Sequence, residues 1–475
     1  MKKYRTTIIA LIIIAVAVAG YLAVDRFWTS DKPEDEKGSQ TDPDSLYDTV
    51  MFPGIDTKNI ETIESHAADV IVLRKAYDEW TCVSYPDLPF FEASVSTVLN
   101  RISGMKGKVV YTGEITESIL ADYGLDGKSY LLLTMADGST VKLIFGANDL
   151  TGGEVYTLFE GDNRVFRTDN AHKTTLLLTK KHLISSMIFD FDDEGKIQNV
   201  LVSKTGEKEF ELTADFSGET RKWNMIYPIS IEGNQGNIND LLKIVCDLSI
   251  TDITEANCAD LSQYGLEKPL YAIRLKDHRK TESLEIGNRT QDGNYFYCTL
   301  NGGRDVYTIS AASVTFTDET AIRYLSGYAF LENYTVLSKV IVTVAGETYT
   351  LEYDTEGKAK DEEILTINGI SANQPDHDCR DMFREITNAL YRIELENIEL
   401  TPPPTDNVVC NIVYERKDGS RSTVTCFYRD DITVSIFRDG KYLGGYCSLR
   451  RIMGPASSEG ILGTITALLE ALNHS

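Results

Sequence analysis

The sequence is poor in the residue patterns that build metal and nucleophilic sites. Its six histidines form no HExxH pair, and its eight cysteines (positions 82, 246, 258, 298, 379, 410, 426 and 447) form no CxxC pair. Zinc sites depend on closely spaced ligands of this kind, so zinc-type spacing is absent. Carboxylates are too abundant for any pair to stand out as a glycosidase dyad. We therefore assign no catalytic, cofactor-binding or metal-ligating residue from the sequence, and expect no cofactor.

Basic residues are also in short supply. The chain has 47 Lys and Arg against 72 Asp and Glu, a net charge of −25. Such a polyanion is repelled by nucleic acid and by anionic lipid headgroups, so we expect neither as a partner. A solvated acidic surface explains the charge, and a cation-collecting surface is the alternative. With 475 residues, 42% of them hydrophobic, the chain is expected to fold into two to four domains.

The sequence has one long apolar run, at its N-terminus. After three basic residues among the first five, residues 8–24 are uncharged and apolar. A run of this length spans about 26 Å as a helix, enough for a bilayer core once the flanking residues are included. Residues 1–28 thus predict a transmembrane anchor with a cytoplasmic N-terminus and an extracytoplasmic body. Ala17-Val18-Ala19 resembles a signal-peptidase site, so a cleaved signal peptide is the alternative, although the apolar run continues to Val24.

A tripeptide that occurs twice reveals an internal repeat. Tyr123-Gly124-Leu125 recurs as Tyr264-Gly265-Leu266, an offset of 264 − 123 = 141. The same ungapped offset carries Leu143 onto Leu284, Gly146 onto Gly287, Tyr156 onto Tyr297, Gly161 onto Gly302 and Val165 onto Val306. Matches in a single register indicate a duplicated domain.

Each copy encodes a helix that ends and then a run of strands. Leu120, Gly124 and Leu125 have the spacing of a Schellman motif, in which a left-handed glycine ends a helix, and Leu261, Gly265 and Leu266 repeat it. Upstream of each stands a strand pair, a Trp, a Pro and an amphipathic helix. Period-two runs predict strands at 130–135, 140–145, 154–159, 271–275, 284–286 and 295–300.

A degenerate third copy is expected to begin near Val336. It has a helix with apolar residues at 383, 386 and 390, strands between Val408 and Phe437, and a helical C-terminus interrupted at 453–460. The fold class predicted is α+β: tandem repeated domains, each an antiparallel-rich sheet with one or two helices, after a single transmembrane helix. The predicted organisation is an anchor (1–28), an acidic flexible linker (29–45) and repeat domains at 46–185, 186–335 and 336–475.

The chain resembles a bacterial family known as domain of unknown function 4340. The resemblance rests on the N-terminal anchor, the Trp–Pro–helix segment and the strings YGLEKPLYAIRL, LEIGNRTQDGNYFY and DVYTIS, and covers about residues 60 to 330. The family has no established activity and no catalytic residues to transfer. Its members look like exported, membrane-anchored proteins and are often encoded beside ABC-type transporters, so the resemblance implies an accessory role in the cell envelope.

Two motifs that suggest ligands have a simpler interpretation. DGKS, ending at Ser129, lacks the first glycine of a phosphate-binding loop and precedes a strand, so no nucleotide is expected. FDFDDEGK places Asp190, Asp192 and Glu194 like calcium ligands, but Leu201 stands where the bidentate Glu is required. A turn between strands is the favoured interpretation, and weak calcium binding is the alternative.

Three further motifs also have structural interpretations. Ser103-Gly104-Met105-Lys106 and Lys204-Thr205-Gly206 resemble elements of penicillin-binding acyltransferases, but the intervening S-x-N element is missing. In DHDC, Asp378 is predicted to cap a helix rather than bind a metal. Cys410 and Cys426 should face each other across a hairpin, as free thiols or, alternatively, as a disulfide.

The sequence thus predicts a non-catalytic, membrane-anchored extracytoplasmic protein. Its expected role is that of an accessory or scaffold component of a cell-envelope system such as an ABC-type transporter, with the membrane and an envelope protein as partners. A cell-envelope hydrolase with an unrecognised site is the first alternative. A cation- or glycan-binding module is the second.

Overall fold

A computed structural model describes residues 49–52, 54–218, 220–374 and 377–473. The predicted anchor (1–28) and linker (29–45) lie outside these residues. Within the described part of the chain, no helix is both long and apolar enough to cross a membrane.

The first sheet has nine strands, and three helices accompany it. The strands are β1 (Thr49–Val50), β2 (Ile60–His66), β3 (Val70–Ala76), β4 (Glu79–Cys82), β5 (Lys106–Thr112), β6 (Tyr130–Met135), β7 (Thr140–Asn148), β8 (Glu154–Phe159) and β9 (Arg164–Asp169); the helices are α1 (Ala93–Gly104), α2 (Glu117–Asp122) and α3 (Asn170–Leu176). Neighbours in the sheet follow the order β1-β5-β9-β8-β7-β6-β2-β3-β4, and every pair from β1 to β3 in this order is antiparallel.

The second sheet also has nine strands. They are β10 (Asn199–Lys204), β11 (Glu207–Asp215), β12 (Lys222–Tyr227), β13 (Ile231–Glu232), β14 (Ile250–Glu255), β15 (Tyr271–Lys276), β16 (Thr281–Arg289), β17 (Tyr295–Leu300) and β18 (Val306–Ser310), with the helix α4 (Gln235–Cys246) between β13 and β14. The order across the sheet is β13-β12-β11-β10-β15-β16-β17-β18-β14.

The third sheet repeats this arrangement. Its strands are β19 (Leu337–Val344), β20 (Glu347–Asp354), β21 (Ile364–Ile367), β22 (Ile370–Ser371), β25 (Asn397–Ile398), β26 (Val408–Arg416), β27 (Arg421–Tyr428), β28 (Thr433–Arg438) and β29 (Lys441–Ser448); β23 (Asn373–Gln374) and β24 (His377–Asp378) form a separate pair before α5 (Arg380–Tyr391). The order is β22-β21-β20-β19-β26-β27-β28-β29-β25. The chain continues through α6 (Arg450–Met453) and α7 (Ile461–Asn473).

The three sheets share one topology. In each, a meander of three strands, extended by the two-residue strands β13 and β22 in the second and third sheets, leads into a helix. A second meander of four strands follows, and its first strand pairs with the first strand of the initial meander. The strand directly after the helix pairs with the last strand of the second meander; it lies at the edge in the second and third sheets, whereas β1 lies outside it in the first. Tandem repeated antiparallel sheet domains are therefore confirmed. The upstream element predicted as a strand pair is a meander of three strands, with Trp80 and Trp223 on the third strand.

The helix stripes and strand alternation explain the cores. Helix α1 buries Val95, Val98 and Ile102, and α4 buries Leu241, Leu242 and Val245. Helix α5 buries its predicted apolar positions. In the strands, alternate residues are enclosed, as in β6, where Leu131 and Leu133 have no exposed surface. The apolar periodicity of the sequence thus defines the packed faces.

The Schellman motifs are confirmed in both copies. Gly124 has φ of +64° and Gly265 has φ of +71°. The N–H of Leu125 donates to the carbonyl of Leu120 at 2.8 Å, and the N–H of Leu266 donates to that of Leu261 at 3.0 Å. The second copy ends a short 3₁₀ helix rather than an α-helix.

The ungapped register of the repeat is wrong at one strand. Leu131 pairs with Leu143, whereas Ile273 pairs with Leu284, so Leu131 and Ile273 are equivalent at an offset of 142. Compared with the first sheet, one extra residue precedes β15, and the connection between the paired residues of β15 and β16 is one residue shorter. At the ungapped offset of 141, every side chain of β15 would be assigned to the wrong face of the sheet.

The described chain forms two compact units. One comprises the described residues up to Trp80 together with residues 95–178, and the other comprises residues 81–94 and the described residues from 179 onward. The second and third sheets thus belong to one unit. The boundaries predicted at 185/186 and 335/336 stay predictions.

Candidate functional site

The residues of the DGKS motif form a turn between α2 and β6. The Asp126 carboxylate accepts from the N–H of Lys128 at 3.0 Å, and Gly127 has φ of +74°. No helix follows whose N-terminus could hold a phosphate, because the chain continues directly into a strand. The local geometry is that of a connecting turn.

The acidic segment forms a turn, as predicted, that leads into β10, but the element before it is a 3₁₀ helix at Lys180–Leu183 rather than a strand. A 3₁₀ turn at Glu194–Lys196 is capped by Asp193, and the chain then enters β10. Asp192 forms an ion pair with Arg279. One of the potential calcium ligands is thus already neutralised by a guanidinium.

The acyltransferase-like motifs are structural. Ser103 lies in α1 and donates to the carbonyl of Asn100 at 3.0 Å. Thr205 and Gly206, with φ of +51° and +84°, form the two-residue turn between β10 and β11. The motifs fall in different compact units.

The predicted cap at Asp378 is displaced by one residue. Helix α5 begins at Arg380 with Cys379 in the N-cap position, although the Asp378 carboxylate still accepts from the N–H of Arg380 at 3.1 Å. A bidentate hydrogen-bonded pair with the Arg380 guanidinium lowers the pKa of Asp378 to about 2. Among the described residues, no group of three His, Cys, Asp or Glu is placed to hold a metal ion.

The cysteines are free thiols. Cys410 and Cys426 face each other across β26 and β27, as the hairpin predicted, but are not bonded. Burial raises the pKa of Cys410 to about 12 and raises that of Cys426 well above its ordinary value. A thiol that stays protonated at neutral pH is a poor nucleophile.

An apolar pocket lies at one end of the first sheet and was not predicted. It has a volume of about 580 Å³ and is lined mainly by the residues of β1 and the loop after it, together with side chains of β7, β8 and β9. Phe52 and Phe159 meet edge to face at 5.1 Å, and Phe166 lies 6.3 Å beyond Phe159. Val50 is 48% exposed at the mouth. We call this site the end pocket.

A charged pair forms part of the rim of the end pocket. The Arg164 guanidinium donates to both carboxylate oxygens of Asp162, at 3.0 and 2.7 Å, and lies 5.1 Å from the ring centre of Phe166. These hydrogen bonds hold the pKa of Asp162 below its ordinary value. The rim is therefore polar and internally neutral, while the interior is apolar, an arrangement common in binding sites.

A glycine allows the wall of the end pocket to form. Thr49 pairs with Gly107, and the N–H of Met51 donates to the carbonyl of Met105 at 2.9 Å. A Cβ at Gly107 would lie 2.6 Å from the Met51 sulfur and 3.0 Å from the methyl of Thr168. Only glycine lets the loop after β1 approach this closely.

The equivalent end of the second sheet is closed by ion pairs. In the first sheet Ile63, Leu133 and Val141 align across three strands, and Val200, Leu275 and Glu282 align in the second. A carboxylate thus stands where the first sheet has a valine that lines the pocket. It accepts from the N–H of Asp190 at 2.8 Å and from Lys280 at 2.9 Å.

The third sheet closes the same end in another way. Here Ser422 occupies the position of Val141, as the pairing of Val340, Tyr414 and Ser422 shows. Arg416 donates to Ser422 at 2.9 Å and binds the Glu332 carboxylate through two nitrogens, at 2.7 and 2.6 Å. Phe330 stacks on Tyr414 with ring centres 3.7 Å apart.

The repeat offset contained the signal for this difference. It aligns Val141 with Glu282, one apolar position replaced by a charge within an otherwise matching strand. The matches at this offset reveal the repeat, whereas the difference between the two ends lies in a mismatch. An apolar residue retained at the end of one copy was the available sign of a binding pocket.

These observations define the class of the protein: a tandem array of antiparallel sheet domains, one of which keeps an open apolar pocket. The chain belongs to the family described as Domain of unknown function (DUF4340), whose model matches residues 80–226 and again 223–394. Each match begins at or beside a tryptophan, Trp80 in β4 and Trp223 in β12; the first match ends in β12, and the second ends at Glu394, after α5. No curated protein and no solved structure matches the chain.

Proposed function

We propose that this chain is a non-catalytic accessory protein of the cell envelope. In this proposal an N-terminal helix anchors it in the cytoplasmic membrane, the sheet domains lie on the outer side, and the end pocket receives apolar side chains of a membrane protein such as a subunit of an ABC-type transporter. The observation that carries the proposal is the end pocket, which is open and apolar in the first sheet while its counterparts in the second and third are closed by charged pairs.

The lining of the end pocket favours binding over catalysis. Its interior presents phenylalanine, valine and isoleucine, whose burial against a partner contributes about 25 cal/mol for each Å² of apolar surface. The charged groups of the pocket, Asp162 and Arg164, satisfy each other. Aromatic anchors surrounded by a polar rim are typical of the centre of a protein–protein interface.

The place of the end pocket in the chain favours a partner at the membrane. Thr49 and Val50 line it, and the predicted linker ends at residue 45. A flexible tether of the linker's length, residues 29–45, has a root-mean-square span of about 23 Å. The pocket would then be held within reach of protein segments that emerge from the outer leaflet.

Photocrosslinking in membranes tests this proposal. A photoreactive phenylalanine analogue at Val50 should form an adduct with an integral membrane protein, identified by mass spectrometry as a transporter subunit. Met187 supplies the matched control, since it is 51% exposed and bridges to Ser249 as Val50 pairs with Lys106. The same adducts from both positions, or no membrane protein from Val50, would refute the proposal.

Protease treatment of intact protoplasts tests the topology separately. We expect digestion of the sheet domains, while a fragment containing residues 8–24 stays with the membrane. Protection of the domains until lysis would place them inside the cell and end the envelope proposal. Release of the intact domains into the medium would instead indicate cleavage near Ala19 and a secreted binding protein.

A further inference from the structure

A second cavity, of about 280 Å³, lies between two helices of the first compact unit. Helix α1 contributes Thr97, Asn100, Arg101 and Gly104, and α3 contributes His172. Thr97, Arg101 and Gly104 are spaced by four and three residues, so they lie along one face of α1. The space beside Gly104, at one end of the cavity, is open, since a Cβ there would have no neighbour within 4 Å.

The cation of this cavity has no counter-ion within the described residues. Among the described residues, no carboxylate lies within ion-pair distance of Arg101, and no group accepts a hydrogen bond from the Arg101 guanidinium. Arg101 stands in the last turn of α1, where a cation also offsets the helix dipole. That structural role does not account for the histidine beside it.

His172 is enclosed and lacks hydrogen bonds. The residue is only 8% exposed, and its Nδ1 atom is fully buried with no hydrogen-bond partner among the described residues. Burial and the nearby charge of Arg101 lower the pKa of His172, opposed by Asp169, so the ring is neutral at pH 7. An enclosed Nδ1 without an acceptor favours the tautomer whose proton is on Nε2. The ring then offers one donor at the cavity.

We propose that this cavity binds an oxyanion, a carboxylate or a phosphate group, between Arg101 and His172. The guanidinium provides two parallel donors that match the oxygens of such a group. The Asn100 amide lies one residue before Arg101 on α1 and can donate to a further oxygen. The oxyanion supplies the counter-ion that the arginine lacks and the acceptor that the histidine lacks.

The test follows the histidine rings of the full chain in detergent micelles. With ¹³C at the histidine Cε1 positions, the six histidines give few signals, which single substitutions assign. Sodium phosphate and, in a separate series, sodium acetate replace chloride at constant ionic strength. We expect a saturable shift of the His172 signal with at least one of the two anions, and a dissociation constant at least tenfold weaker in Arg101→Gln. Saturation by phosphate alone or by acetate alone identifies which chemistry the site prefers.

The controls separate a site from general charge effects. Arg74→Gln removes the same charge from an exposed position of the same unit and should leave the titration unchanged. His278, whose side chain is 53% exposed, reports the response of a histidine in solvent. A His172 shift that does not saturate, that matches His278, or that persists unchanged in Arg101→Gln would overturn the proposal.

Discussion

The first and second sheets share eight strands in the same order and the same glycine-terminated helices, yet they differ at one end. Val141 lines an open pocket in the first sheet, whereas Glu282 at the equivalent position anchors a set of ion pairs in the second. The shared features lie where backbone segments touch, and the difference lies at the rim. A duplicated fold can therefore keep its architecture while one copy alone retains a surface for binding.

The strongest test of the shared architecture is at Gly146 and Gly287. A Cβ at Gly146 would lie 2.4 Å from the carbonyl oxygen of Tyr123, and one at Gly287 would lie 2.3 Å from that of Tyr264. Because the obstacle is backbone in both cases, alanine at either position should destabilise its own domain by about 3 kcal/mol. Hydrogen–deuterium exchange of β7 and β16 should show the loss locally. Equal protection of the strand from exchange in a variant and in the parent chain would mean that glycine is not required at that position.

The helix stops should be less sensitive, and unequally so. Alanine at Gly265 should cost about 1 kcal/mol, because a side chain is strained at positive φ. At Gly124 we expect about 2 kcal/mol, because its Cβ would also meet the backbone nitrogen of Ala147 at 2.9 Å, whereas at Gly265 it meets the movable side chain of Asn288. Chemical denaturation of both variants measures the difference. A larger loss for Gly265→Ala would contradict this account of the motif.

The closed end of the second sheet should depend modestly on its carboxylate. Glu282→Val removes the acceptor of the Asp190 N–H and of Lys280, which are only partly shielded from water, so we expect a loss of about 1 kcal/mol. Thermal unfolding of Glu282→Val, measured beside that of the parent chain, checks this value. An unchanged stability would show that the ion pairs do not hold this end closed.

The smallest effect concerns acid. The hydrogen bonds from Arg164 lower the pKa of Asp162 in the folded state, so their contribution is complete above the ordinary carboxyl value of 3.8 and is lost as the pH falls below it. The second sheet has Gly303 at this offset and no equivalent group. Hydrogen–deuterium exchange below pH 3.8 should therefore increase more in the β8–β9 turn than in the β17–β18 turn. Asp162→Asn should abolish that difference.

The sequence predicted the parts of the fold that depend on local patterns. Alternation placed β6, β8 and β17 at their observed bounds, and glycine spacing predicted both Schellman motifs. Short edge strands such as β25 were missed, because two residues carry no periodicity. The one-residue shift before β15 was missed because only pairing across strands reveals the register.

The end pocket could not be predicted from local patterns. It forms where the loop after β1 approaches Gly107, and its residues come from strands that are distant in the sequence. An apolar residue at a strand end is ordinarily part of a core. Only the comparison between the sheets identifies Val141 as part of an open pocket.

The central claim is that the open end of the first sheet binds a membrane partner. Its most direct test is the photocrosslinking yield from Val50 in a chain carrying Val141→Glu, which introduces the residue of the second sheet, with Val141→Ile as the apolar control. We predict that the adduct with the membrane protein is lost in Val141→Glu and retained in Val141→Ile, while both chains stay folded. An adduct of undiminished yield in Val141→Glu would contradict the claim.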